Sequence, residues 1–214
     1  MSNYKIMFAY SKEDNCYITF VPSLPGCMAD GKSIDEAVAN TQVIISEWLE
    51  TAVENGREIP VDDYDHLQLT GASIKDVAGY ILHKCGSITG MAIEKMTYYC
   101  RAWSLAWYDK SLFPERFQAW AHGPVCRTIF NIHRGQYIVS ESDFPNTHVF
   151  SDSELWLMNS VLDVYLNYSA EQLSEMTHAE DPWRLTRGDL PENAVCSRII
   201  SDEMIKAYYG KWCG

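Results

Sequence analysis

The sequence predicts an α+β protein in two parts. A small N-terminal β-hairpin or sheet with one helix covers residues 1–70, and an all-α domain of about six or seven helices covers 71–214. Two observations carry this. Apolar residues alternate with period two near the start and recur with helical period later, and from Ser73 onward each apolar run is opened by a capping residue. At 214 residues the chain is long enough for one large domain or two small ones.

In the first part, Tyr4, Ile6 and Phe8 share one face, Ser11–Asn15 supplies turn residues, and Tyr17–Val21 is β-branched and aromatic, so two antiparallel strands are predicted. Pro22-Ser23-Leu24-Pro25-Gly26 breaks the second strand, and a short extended piece follows around Cys27–Ala29. Ser33-Ile34-Asp35-Glu36 is a capping box. The helix it opens carries Ile34, Ala37, Val38, Ile45, Trp48, Leu49 and Ala52, and stops at Asn55-Gly56. Ile59-Pro60-Val61-Asp62-Asp63 reads as a loop, and Leu67–Leu69 as a last strand or a linker before a boundary near Thr70-Gly71.

In the second part, Ser73 with Asp76 opens a helix that Gly86 ends. The next, Thr89–Tyr108, has Ala92, Met96, Tyr99, Trp103 and Trp107 on one stripe with further apolar residues beside it, which predicts a central, buried helix. Gly123-Pro124 places a proline at the first position of another. Further helices begin at Ser151 or Ser153, at Ser169 with Gln172, at Asp181-Pro182-Trp183 and at Ser201.

Composition excludes several classes. Hydrophobic residues make up 47%, yet no apolar run approaches the roughly 18 residues of a membrane-spanning helix. Met1–Tyr10 shows no signal peptide, so a soluble, cytoplasmic protein is expected. The seven cysteines form no C-x-x-C pair and no recognisable zinc spacing, so neither a disulfide framework nor a metal is predicted, and no cofactor motif appears. The net charge is −12. Residues 1–70 hold 4 Lys and Arg against 12 Asp and Glu, and so carry −8 of it. Such a segment repels phosphates and steers in a basic protein partner, which disfavours direct nucleic-acid binding.

Residues 4–60 resemble the HicB-type antitoxin domain. The resemblance lies in Tyr4–Tyr10, Phe20-Val21-Pro22-Ser23-Leu24-Pro25-Gly26-Cys27, Gly31, Asp35-Glu36-Ala37, Trp48-Leu49 and Gly56–Pro60. It implies a partial ribonuclease-H-like fold, without that fold's catalytic carboxylates, that binds and masks a small toxin. Ser23 stands where the family usually carries Asp.

Residues 73–210 resemble a second antitoxin module, the SocA-like or Panacea domain. The matching pieces are Glu94-Lys95-Met96-Thr97-Tyr98-Tyr99, Phe117–Val125, Leu173–Trp183 and Ile205–Tyr209. Thr97 departs from a common aliphatic and His122 from a common aromatic. The two resemblances together imply a bacterial or phage-associated antitoxin of type II, which neutralises a cognate protein toxin encoded nearby by direct binding, without enzymatic activity. A three- or four-stranded sheet with one helix also leaves a pairing edge, so a homo-oligomer through the N-terminal domain is expected.

The candidate partner-binding residues are Lys95, Tyr98, Trp120, His122, Gly123, Pro124, His178, Pro182 and Trp183. Polar-tipped aromatics of this kind dominate interface hot spots. The competing reading of Ala119–Pro124 is a packed corner, and of His178 with Asp181-Pro182-Trp183 a hydrogen-bonded turn. Lys95, on a mostly apolar helix, is expected to reach a carboxylate or to snorkel to the surface. Two other functions stay open. A metal-dependent hydrolase would use His122, His133 or His178, but no H-x-x-x-H, G-x-S-x-G or phosphate loop occurs. A phage-associated DNA-binding regulator would need a helix with a basic face.

Overall fold

The computed structural model describes residues 4–61, 66–191 and 193–212, the side chain of Trp212 excepted. The chain divides into two compact units, one of residues 1–65 with 211–214 and one of residues 66–210.

The first unit is a three-stranded antiparallel sheet covered by one helix. Strands β1 (Met7–Ser11), β2 (Cys16–Phe20) and β3 (Met28–Gly31) lie in the order β1-β2-β3, with Tyr10 opposite Tyr17 and Thr19 opposite Ala29. Helix α1 (Ile34–Glu54) begins where the Ser33 hydroxyl accepts the Glu36 N–H at 3.2 Å. The returning Glu36 carboxylate takes the N–H of Lys32, one residue earlier than a regular capping box. Ile6, Val21, Leu24, Cys27 and Ile45 form the core, flanked by Tyr4, Val38, Ile44, Trp48 and Leu49. The Thr19 and Thr41 hydroxyls meet between sheet and helix, so two buried polar groups satisfy each other. Gly31 lets the helix approach β3, since a side chain there would collide with the backbone of Ala37. Asp62 and Asp63 of the expected loop, and Cys213, lie outside the described residues.

The second unit is built around one buried helix. Its elements are α2 (Ile74–Cys85), β4 (Ile88–Thr89), α3 (Gly90–Tyr108), β5 (Gln118–Trp120), β6 (Gly123–Val125), α4 (Arg127–His133), β7 (Ile138–Val139), α5 (Asp152–Tyr165), α6 (Ala170–Ala179), α7 (Asp181–Arg187) and α8 (Asp202–Tyr209). Helix α3 is buried from Ala92 through Leu105 and packs against α2, α4, α5, α6 and α8. Ring packing holds this centre: Tyr99 stacks on Tyr165 at 3.8 Å, and the Trp103 indole N–H donates to the Tyr165 hydroxyl at 3.0 Å. Arg101 of α3 grips Asp202 at the start of α8 through two nitrogens, and its third donates to the carbonyls of Phe113 and Glu115.

One open alternative is decided and one expectation is corrected. Leu67–Leu69 forms no strand; this stretch runs beside the start of α5, where the Gln68 N–H donates to the Ser153 hydroxyl at 2.9 Å and the Thr70 N–H to the Glu154 carboxylate at 2.9 Å. Pro124 opens no helix. It is the middle residue of β6, opposite Ala119, and α4 starts only after Cys126. The reason is tertiary: Ala119 and Gln118 pair outward with Arg198 and Ile199, which holds the hairpin extended. The helical unit therefore contains two small strand pairs, β4–β7 and β5–β6.

Candidate partner-binding site

The β5–β6 hairpin is where most of the sequence candidates meet. Its turn requires Gly123, whose φ is +96° and where a Cβ would lie 2.6 Å from the Lys95 Cε and 2.7 Å from the Thr177 hydroxyl. Lys95 rises from α3 into that space and donates its Nζ to the Pro124 carbonyl at 3.0 Å. It therefore neither reaches a carboxylate at ion-pair distance nor snorkels outward, but ends on a backbone carbonyl, 1% exposed. Burial holds its ammonium down at about 8, against the opposing pull of Glu94.

On the other side, α7 locks the hairpin. Pro182 sits buried in the first turn of α7, and Trp183 donates its indole N–H to the Trp120 carbonyl at 2.8 Å. His178 stacks on Trp183 at 4.0 Å and 15°, and Arg187 packs its guanidinium 5.1 Å from the Trp183 ring centre. Arg187 also donates to the Ala119 carbonyl at 2.9 Å and to those of Pro191 and Ala194, tying the hairpin to the loop that precedes Ile200. His122, at the turn, is exposed, while its carbonyl accepts the Ser174 hydroxyl at 3.0 Å. Tyr98 stands apart from this surface. It is fully buried, edge-on to Tyr99 and Phe117.

Between the hairpin, the start of α3, α4 and the 193–196 loop lies a cavity of about 360 Å³. Met91, Trp120, Val125, Phe130 and Val195 form its apolar walls, with Trp120 packed edge-on against Phe130 at 4.7 Å. Glu94, Lys95 and His133 lie at its buried end. Glu94 receives the Cys126 N–H at 2.8 Å on one oxygen and faces the His133 Nε2 at 3.1 Å with the other. Burial pushes the Glu94 carboxyl up, and these two contacts with His133 and Cys126 pull it back. Sequence reasoning missed Glu94 and Phe130 as site residues. A carboxylate inside the buried stripe of a helix was the available signal for Glu94, since charge is buried only with partners; nothing in the local pattern marked Phe130. Among the described residues, no group of three His, Cys, Asp or Glu is arranged to hold a metal ion, and no helix is long and apolar enough to cross a membrane.

Two family models match the chain, and the first of them runs past the boundary between the two units into α2. The family described as HicB_like antitoxin of bacterial toxin-antitoxin system matches residues 4–78, and the family described as Antitoxin SocA-like, Panacea domain matches residues 93–184. The hairpin, Glu94 and Lys95 of α3, α4, and His178 to Trp183 fall inside the second match, while Met91 and Val195 of the cavity wall lie outside it. A UPF0150 protein of Thermoplasma acidophilum is 34% identical over 55 residues, which is 26% of this chain and 80% of the relative. A UPF0150 protein of Synechocystis is 29% identical over 58 residues, 27% of this chain and 78% of the relative. No solved structure matches. The chain thus belongs to the HicB-like antitoxin family through residues 4–78, and its residues 93–184 match the SocA-like Panacea antitoxin domain.

Proposed function

We propose that the protein is the antitoxin of a type II toxin–antitoxin system and neutralises a cognate, nearby-encoded protein toxin by direct, non-enzymatic binding in the cytoplasm. The observation that carries this reading is the joining of two antitoxin modules in one acidic chain. The inhibitory surface is assigned to the hairpin and α7 of the second unit, with His122 and Trp120 outermost. Lys95, Gly123, Pro124, Pro182 and Trp183 shape that surface from beneath, His178 supports it at the side, and Tyr98 supports the helix that carries Lys95.

Growth arrest caused by the product of the neighbouring reading frame should vanish when this chain is co-expressed. Arrest that persists at equal expression contradicts the reading. We also assign homo-oligomer formation to the first unit, because β1 and β3 each pair on one side only among the described residues. Light scattering on the purified protein should give a multiple of the 24.4 kDa chain mass, and a monomer mass rejects that assignment.

A further inference from the structure

The cavity beside Trp120 is flanked by a long stretch of chain without acidic residues. From Phe117 through Ser140, the stretch that supplies β5, β6 and α4, the chain contains no Asp or Glu, although its net charge is −12. That stretch carries Arg127 and Arg134, placed three residues before and four residues after Phe130. Arg127 opens α4 one turn before Phe130, a cavity-lining residue, and Arg134 caps the end of that helix. Both are exposed. Arg101, Arg116 and Arg184 each have a carboxylate partner, whereas Arg127 and Arg134 have none among the described residues.

The inside of the cavity asks for an apolar group. The polar groups at its buried end are engaged with one another and with backbone: Glu94 with His133 and Cys126, and Lys95 with Pro124. The Trp120 indole N–H is taken by Gln118 at 2.8 Å. An apolar occupant leaves these pairings intact, so none of these buried groups loses its partner. At about 360 Å³ the cavity lies at the small end of the roughly 300–1,000 Å³ of ligand pockets. That size suits one large side chain. Val195, 96% exposed at the wall, gains burial only when something sits against it.

We propose that this cavity receives a single large apolar side chain from an acidic segment of a partner protein, with Asp or Glu residues flanking that side chain and pairing with Arg127 and Arg134. The segment belongs to the toxin, and to that extent the inference rests on the antitoxin reading. It also gives the two units opposite preferences: the acidic first unit attracts basic surface, and this site attracts acidic surface.

The test uses the full-length protein and fluorescein-labelled peptides with a central Trp flanked on each side by Asp and Glu, read by anisotropy. A twin with Lys in place of the acids and a twin with central Ala serve as comparisons. The acidic Trp peptide should bind best, weaken with added salt, and weaken roughly tenfold when the central Trp becomes Ala. The double variant R127E/R134E changes two exposed side chains and should bind it roughly tenfold more weakly at low salt, with an unchanged melting temperature. Equal or stronger binding of the Lys peptide, indifference to central Ala, or unchanged binding by R127E/R134E overturns the proposal. The same double variant is then assayed for toxin neutralisation. If it loses the peptide but still neutralises fully, the toxin does not use this site and the inference falls while the antitoxin reading stands. If the wild-type chain itself fails to neutralise, the antitoxin reading falls whatever the peptides do.

Discussion

Trp183 donates its indole N–H to the carbonyl of Trp120 at 2.8 Å, so the first turn of α7 is bonded directly to the end of β5. Trp183→Phe keeps most of the packing with His178 and removes this bond, and should cost about 1 kcal/mol of unfolding free energy. Trp183→Ala also empties a buried volume and should cost about 3–5 kcal/mol. Denaturant titration of both variants measures the difference, and equal losses would mean that the hydrogen bond, not the ring, holds the hairpin.

Gly123→Ala should be more damaging than its single methyl suggests. The backbone there is left-handed, and the new Cβ would meet the Lys95 side chain and Thr177. A loss of more than about 1 kcal/mol is expected, since the native conformation itself disfavours the replacement. Thermal unfolding monitored by circular dichroism reports it. A melting temperature equal to wild type would show that the turn can relax without displacing Lys95.

His122 and His178 separate function from folding. His122 is exposed at the turn, so His122→Ala should melt like wild type while rescuing growth from the toxin less well. His178 stacks on Trp183, so His178→Ala should lower the melting temperature modestly and rescue in proportion. Paired melting and rescue measurements decide between them. Full rescue by His122→Ala removes that residue from the inhibitory surface.

Glu180 ties two tyrosines inside the helical unit, accepting the Tyr99 hydroxyl at 3.1 Å and the Tyr209 hydroxyl at 2.5 Å. Burial pushes its carboxyl up to about 8, against about 4.3 for an unperturbed Glu. Between these values the folded state holds a proton that the unfolded state has released. Its contribution is therefore complete below the unfolded value and is lost as pH rises through the folded one. Stability should fall from about pH 5 to pH 8, with a limiting slope of about 1.4 kcal/mol per pH unit from this group. Glu180→Gln should flatten that profile. Lys95, held down at about 8, works in the opposite sense but only above that pH, as the unfolded lysine keeps its proton longer. Chemical denaturation across pH 5–8 for both proteins checks the sign, and parallel profiles would show that Glu180 does not carry the dependence.

The sequence by itself determined the elements whose causes are local. The hydroxyls of Ser33, Ser151 and Ser169 each accept the N–H three residues on, so the starts of α1, α5 and α6 could be read from short spacings. Tyr17–Val21 and the apolar stripe of α3 were legible because a strand and a helix each impose one periodicity on their side chains. The two antitoxin modules were likewise legible from residue order, which their motifs preserve.

Tertiary structure decided what depends on residues distant in the chain. Gly123-Pro124 carries a helix-start signal, but the pairing of Gln118 and Ala119 with Ile199 and Arg198 turns the segment into a hairpin, overriding a weak local preference. Tyr98 looked like a contact residue because its type suits interfaces, and only the packing of α3 on every side placed it in the core. The cavity was beyond the reach of local pattern altogether. Its walls come from α3, the hairpin, α4 and the 193–196 loop, and Glu94 meets His133 across 39 positions of sequence, so neither exists until the chain is folded.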